Sequence, residues 1–180
     1  MANRTLLMLP GHGGSGPGHW QTLWEEQTPA IRRVEQRDWD NPELEDWLAK
    51  LTVEIAACDQ PPVLIAHSLG CATVAHLAGR ESRAAAAALL VSPADVEIVA
   101  DWYPELAAFS PMPCARLECP TIVVASSDDP YVTAARAREF AESWGAELVT
   151  VEAAGHINVD SGHGPWPEGK AILQRLLDSL

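Results

Sequence analysis

Apolar runs of strand length alternate along the chain with apolar positions at helical spacing. Thr5-Leu6-Leu7-Met8-Leu9, Val63-Leu64-Ile65-Ala66, Leu89-Leu90-Val91 and Thr121-Ile122-Val123-Val124-Ala125 are continuously apolar, the pattern of strands buried on both faces. Val34-Glu35-Gln36 reads as a short second strand and Glu147-Leu148-Val149-Thr150-Val151 as the last. Trp20 and Trp24 lie one turn apart in a helix over 19–26 and point to core packing. Leu44, Trp47, Leu48, Leu51 and Ile55 give the next helix one apolar face, with Asn41 as its expected cap and Pro42 at its first position. Residues 85–91 read as a passage from helix into strand, 134–144 as a helix stopped by Gly145, and 167–180 as a closing amphipathic helix. Five prolines fall between Pro93 and Pro120, where the irregular stretch 95–119 leaves room for a short helix or two. This alternation predicts one α/β domain over 1–180, a mainly parallel sheet of about six strands with helices on both faces.

One junction in that pattern carries chemistry. Val63 to Ala66 runs straight into His67-Ser68-Leu69-Gly70, and a small-residue helical pattern follows at once. Strand, sharp turn and helix with a serine at the apex is the context of a nucleophile elbow. The usual G-x-S-x-G reads here Ala66-x-Ser68-x-Gly70, a mild departure, since strand and helix cross closely there and want small residues. Such a turn aims the Ser68 hydroxyl outward and sets the Leu69 N–H at a helix start, where it could hold an oxyanion.

Composition sets the limits of partnership. The chain has 180 residues, 47% of them hydrophobic, seven tryptophans, and a net charge of −13. With no basic run, nucleic acid and anionic membrane surfaces are poor partners, and no apolar stretch reaches the ~20 residues of a transmembrane helix. Residues 1–5 run directly into a strand pattern rather than a signal peptide, and the Asn3-Arg4-Thr5 sequon carries little weight without one. Cys58, Cys71, Cys114 and Cys119 show no C-x-x-C spacing, so reduced thiols in a cytoplasmic protein are the simplest account.

The loop from Pro10 to Gly18 holds five glycines. Gly11-His12-Gly13-Gly14-Ser15-Gly16 fits the form of a dinucleotide loop, with Asp38 and Asp40 some distance on, but flanking prolines and the missing P-loop lysine weaken a phosphate reading. Alternatively the loop brings backbone N–H groups to a reacting carbonyl, with His12 N–H the second oxyanion donor beside Leu69.

Ser68, Asp128-Asp129 and His156 each follow a predicted strand, in the order serine, acid, histidine that α/β-hydrolases use. A serine hydroxyl needs a neighbouring base, which His156 can supply, and a carboxylate fixes the imidazole tautomer. Asp129-Pro130-Tyr131-Val132 matches the D-x-x-V pattern common after the penultimate strand, which favours Asp129 over Asp128; Asp95 is a third candidate. Of the other histidines, His67 is expected to pack or hydrogen-bond locally, His12 to line the pocket and His76 to be structural. His163 with His156 is too little for a metal site, and Cys71 reads as a buried small residue. No cofactor or metal is implied.

Leu9-Pro10-Gly11-His12-Gly13-Gly14-Ser15-Gly16, His19-Trp20, Asp38-Trp39-Asp40, Ala66-His67-Ser68-Leu69-Gly70, Ser126-x-Asp128-Asp129-Pro130 and Gly155-His156-Ile157-Asn158 together resemble the small lidless serine hydrolases related to retinoblastoma-binding protein nine. Ser161-Gly162-His163-Gly164-Pro165-Trp166-Pro167-Glu168-Gly169 extends the likeness to that family's bacterial branch. The resemblance implies a compact α/β-hydrolase fold with a minimal lid or none and a triad of Ser68, Asp129 and His156. The family's partner-binding motif L-x-C-x-E is not carried over, because the nearest string, Leu117-Glu118-Cys119-Pro120-Thr121, ends in threonine. The expected activity is hydrolysis of a small ester, thioester or amide through an acyl-enzyme, with Tyr131, Ile157 and Trp166 either walls of the pocket or members of the core. A catalytically weak binding module on the same fold is the alternative. The oligomeric state is left open.

Overall fold

The two layers that cover the sheet can be read from alternate strand residues. In the computed structural model, which describes residues 4–81 and 84–180, Leu7 and Leu9 of β1 (Leu6–Leu9) join one core cluster while Leu6 and Met8 join the other. The same two-residue period divides β3 (Val63–His67) and β4 (Ala87–Val91), as expected of strands buried on both faces. Helices α2 (Leu44–Ala56), α3 (Leu69–Ala78) and α5 (Ala134–Trp144) pack on the first face, and α1 (Trp20–Gln27) and α6 (Pro167–Leu177) on the second. With β2 (Ile31–Arg33), β5 (Thr121–Ser126) and β6 (Glu147–Val151), the strands run in the order β2-β1-β3-β4-β5-β6, every pair parallel.

The chain leaves β1 toward β2 on one side and returns to β3 on the other, so the strand order reverses between β1 and β3. Ligands of open parallel sheets bind outside the carboxyl ends of the strands at such a point. Two short elements cover this end, α4 (Val96–Val99) and a 3₁₀ helix (Pro104–Phe109). They are tied down by His76 Nε2 on the Phe109 carbonyl at 2.8 Å and by Arg136, whose guanidinium reaches Asp95 at 3.2 Å and Glu97 at 2.7 Å.

Several boundaries differ from those expected. The second strand is Ile31–Arg33 rather than 34–36: its register is set by pairing with β1, and Val34 N closes the ladder by donating to Met8 O at 2.9 Å. Asn41 does not cap α2. The residues before the helix form a turn in which Asp38 Oδ1 accepts from the amides of Asp40 and Asn41, and the cap position falls to Glu43. Residues 85 and 86 form no helical turn ahead of β4, and α6 stops at Leu177. Gly145 ends α5 with a left-handed φ of 69°, as its position predicts. Asn3 of the sequon, with the rest of the run at 1–3, lies outside the described residues.

Where α3 begins, its backbone nearly touches the end of β1. A Cβ on Gly70 would meet the carbonyl oxygens of Leu9 and Pro10, the latter at 2.8 Å. Backbone cannot yield as a side chain can, so Gly70→Ala is expected to lower unfolding stability by about 1–3 kcal/mol or more, read from urea denaturation.

Candidate active site

Ser68 ends β3 and begins α3 with φ 55° and ψ −121°, a conformation costing a non-glycine residue about 1–3 kcal/mol. Its backbone holds that strain from both sides: Ser68 N donates to Val91 O at 3.0 Å, and Ser68 O accepts from Cys71 N at 2.9 Å. Gly11 packs directly against the turn, where a Cβ would stand 2.8 Å from Ser68 Cβ and 3.1 Å from Leu69 N. The glycine-rich loop and the elbow are therefore in contact. Among the described residues neither His12 N nor Leu69 N donates to a protein acceptor, and both belong to that junction.

The loop is held in place by a buried amide. Gln21 Nε2 donates to Leu9 O at 3.2 Å and Gln21 Oε1 accepts from Ser15 Oγ, so α1 fastens the loop to the end of β1. Thr22 Oγ1 and Arg33 Nη1 donate to Ser15 O at 2.6 and 3.0 Å, while Gly13 N donates to Trp39 O at 2.9 Å.

Asp129 and His156 are brought together by the loops after β5 and β6. His156 Nδ1 lies 2.9 Å from both carboxylate oxygens of Asp129, and both side chains are nearly inaccessible to solvent. That fixes Nδ1 as the protonated nitrogen and leaves Nε2 free. Asp128 has a different part. Its Oδ1 accepts from Ser126 Oγ at 2.7 Å and Gly155 N at 2.8 Å, bracing the loop that carries His156, and these bonds lower its carboxyl pKa. Asp95 caps α4 through Glu97 N and pairs with Arg136; burial pushes its pKa up.

Ser68, His156, His12 and Tyr131 line one cavity of about 180 Å³ at the switch point, together with His19, Asn158 and the lid residues Val99, Tyr103 and Leu106. Ser68 Oγ and His156 Nε2 form no hydrogen bond here, although they share the cavity. Ile157 and Trp166 are not among its walls. Ile157 is fully buried on the far face and its carbonyl accepts from Trp20 Nε1 at 3.0 Å, while Trp166 stacks with Trp24 at 5.9 Å. Both follow α6 and α1 into the core. The lid residues were not anticipated, though the apolar pairs 96/99 and 106/109 carry a one-turn spacing that two short helices would present inward.

His67 bonds at long range rather than locally. Its Nε2 donates to the carbonyl of His156 at 2.9 Å, across 89 residues of sequence, so the residue before Ser68 also anchors the histidine loop. His19, His67 and His156 follow one another, His19 edge-on to His67 at 4.9 Å and His67 tilted against His156 at 4.8 Å. Burial is the chief reason His67 is held well below its ordinary pKa, with the neighbouring histidines adding to it. His19 is pushed down to about 4 by burial, then by Arg33 and His156. Cys71 is buried, its thiol pKa raised by that burial, with Sγ toward Val91 O.

The serine hydrolase family profile matches residues 6–175, and the chain belongs to that family. A YdeN-like hydrolase of Pectobacterium atrosepticum is 34% identical, with a TM-score of 0.84 over 96% of this chain and 89% of its own. The ydeN gene product of Bacillus subtilis is 21% identical with a TM-score of 0.78, covering 97% of this chain and 99% of that one. Esterase 2 of Thermogutta terrifontis, solved phosphonylated by cyclosarin, is 20% identical with a TM-score of 0.71 over 98% of this chain and 83% of its own. The last two show the fold alone, an α/β-hydrolase. No curated protein matches the sequence. No helix among the described residues is long and apolar enough to cross a membrane.

The paired histidines make a pH prediction. Below about pH 6.5 the unfolded chain protonates its histidines, while the folded chain keeps His19 neutral down to about 4. Stability is therefore fully present above 6.5 and falls through that window, by roughly 1.4 kcal/mol per pH unit for each such ring. The urea midpoint is expected to drop from about pH 7 to about pH 5, and the drop to be smaller in His19→Asn, which keeps a capping acceptor without the titration.

Proposed function

We propose that Ser68, His156 and Asp129 form a catalytic triad that hydrolyses a small ester, thioester or amide through an acyl-enzyme. The observation that carries this is the Asp129–His156 pair, 2.9 Å apart, with its free Nε2 in the same cavity as the Ser68 hydroxyl. His156 takes the Ser68 proton as Oγ bonds to the substrate carbonyl carbon. The carbon–leaving-group bond then breaks and His156 returns the proton to the departing atom; water repeats the sequence on the acyl-serine. His12 N–H and Leu69 N–H are the proposed oxyanion donors, of which each such group is worth about 10²–10³ in rate. The absence of a Ser68–His156 hydrogen bond without substrate fits, since such contacts tighten in the Michaelis complex.

Cavity size supports a small substrate. An apolar cavity of ~150 Å³ accommodates benzene, so the 180 Å³ here suits a short acyl group rather than a long lipid chain. Asp128 is the alternative acid, but its Oδ1 is already committed to Ser126 and Gly155.

A fluorophosphonate probe is expected to label the wild type and not Ser68→Ala; an unreactive wild type would favour a binding module on this fold. Asp129→Asn is expected to reduce kcat by roughly 10³–10⁴-fold. Asp128→Asn, which keeps an acceptor oxygen, should lose less than about tenfold, and the reverse ranking would move the acid to Asp128.

A further inference from the structure

Six of the seven tryptophans are buried or packed against the core; Trp102 is 56% exposed. It lies in the lid between α4 and the 3₁₀ helix, where its backbone N–H donates to Val99 O at 3.0 Å. Nothing in the folding of the chain calls for an indole there, since a ring that buries ~150–250 Å² when covered gains little at a surface. Its neighbour is telling. Trp102 stands 6.3 Å from Tyr131, and Tyr131 in turn meets the His156 ring edge-on at 4.6 Å. Tyr103 completes the group at 6.4 Å from Tyr131, and both tyrosines line the cavity. An aromatic path thus leads from His156 out of the cavity to an exposed indole.

The direction of that path follows from proton transfer. Resting on the triad proposed above, His156 must reach the leaving atom within hydrogen-bond distance to protonate it. Of the rings against His156, His67 is buried while Tyr131 is only half-buried and adjoins Trp102, so the side toward Tyr131 and Trp102 is open to whatever is attached to that atom. We propose that Trp102 and Tyr131 form a leaving-group platform, and that the preferred substrates carry an aromatic alcohol or amine as leaving group. Tilted rings 6.3 Å apart leave face and edge for a third ring at the 4.5–7 Å separations aromatic pairs adopt. The net charge of −13 selects neutral over carboxylate-bearing leaving groups.

Benzyl acetate and ethyl acetate test this, because both pass through the same acetyl-enzyme and differ only in what departs. Their intrinsic reactivity difference cancels between wild type and variant. The benzyl-to-ethyl ratio of kcat/KM is expected to fall about 3- to 10-fold in Trp102→Ala and to stay within about twofold in Trp102→Phe. A ratio unchanged in Trp102→Ala overturns the platform. Independently of turnover, titrating the wild type with benzyl alcohol is expected to shift the Trp102 indole N–H resonance, assigned by its loss in Trp102→Phe, and cyclohexylmethanol to shift it less. No shift, or equal shifts, overturns the aromatic preference. If neither ester is hydrolysed, the small-ester reading fails while the fluorophosphonate test still decides the nucleophile, and the indole titration still decides the platform.

Discussion

Everything at the candidate site depends on two backbones meeting at the β1–β3 reversal. Gly11 presses on the Ser68 turn and Gly70 presses on the Leu9 and Pro10 carbonyls. Neither contact admits a β-carbon, and the strain of the serine turn persists only because strands on either side enforce it. From that meeting follow a serine at the head of α3, two amides without a protein acceptor among the described residues, and a cavity flanked by the lid. On the mechanism proposed above, the arrangement would be electrostatic preparation, with donors fixed in place before charge develops.

A second layer of bonding surrounds this meeting point. Gln21 ties the glycine-rich loop to the sheet, Asp128 braces the turn before His156, and His67 joins the elbow to the histidine loop through one carbonyl. Holding reacting groups to within fractions of an ångström is what makes such sites effective, and the rotamers that do it are locked by buried partners. Burial also holds His19 and His67 below their ordinary pKa, so on the proposed mechanism a positive charge forming on His156 would not meet two others behind it.

How much of this was legible in the sequence depended on what kind of force set each feature. Strands with uninterrupted apolar runs, such as Val63–His67 and Thr121–Ser126, and helices with a glycine stop, such as Ala134–Trp144, are fixed by local pattern and fall where expected. The elbow, the order of serine, acid and histidine, and the choice between Asp128 and Asp129 as partner of His156 were legible through short motifs on strand ends. Features set by partners distant in sequence were not. β2 takes its register from β1, Asn41 is overruled by the Asp38 turn, and Ile157 and Trp166 are drawn into the far core by α1 and α6. The pocket-lining lid residues belong to elements so short that the pairs 96/99 and 106/109 show a single turn of spacing and do not tell pocket from core, and His67's partner lies 89 residues away.

The central claim is that Ser68 is covalently acylated during turnover. Rapid-quench mass spectrometry during hydrolysis of p-nitrophenyl acetate, followed by peptide mapping, tests it most directly. The account predicts one acetyl group per chain, on the peptide containing Ser68, formed at the rate of the p-nitrophenol burst. Steady hydrolysis with no acetyl on the protein, or an acetyl on another residue, would contradict it.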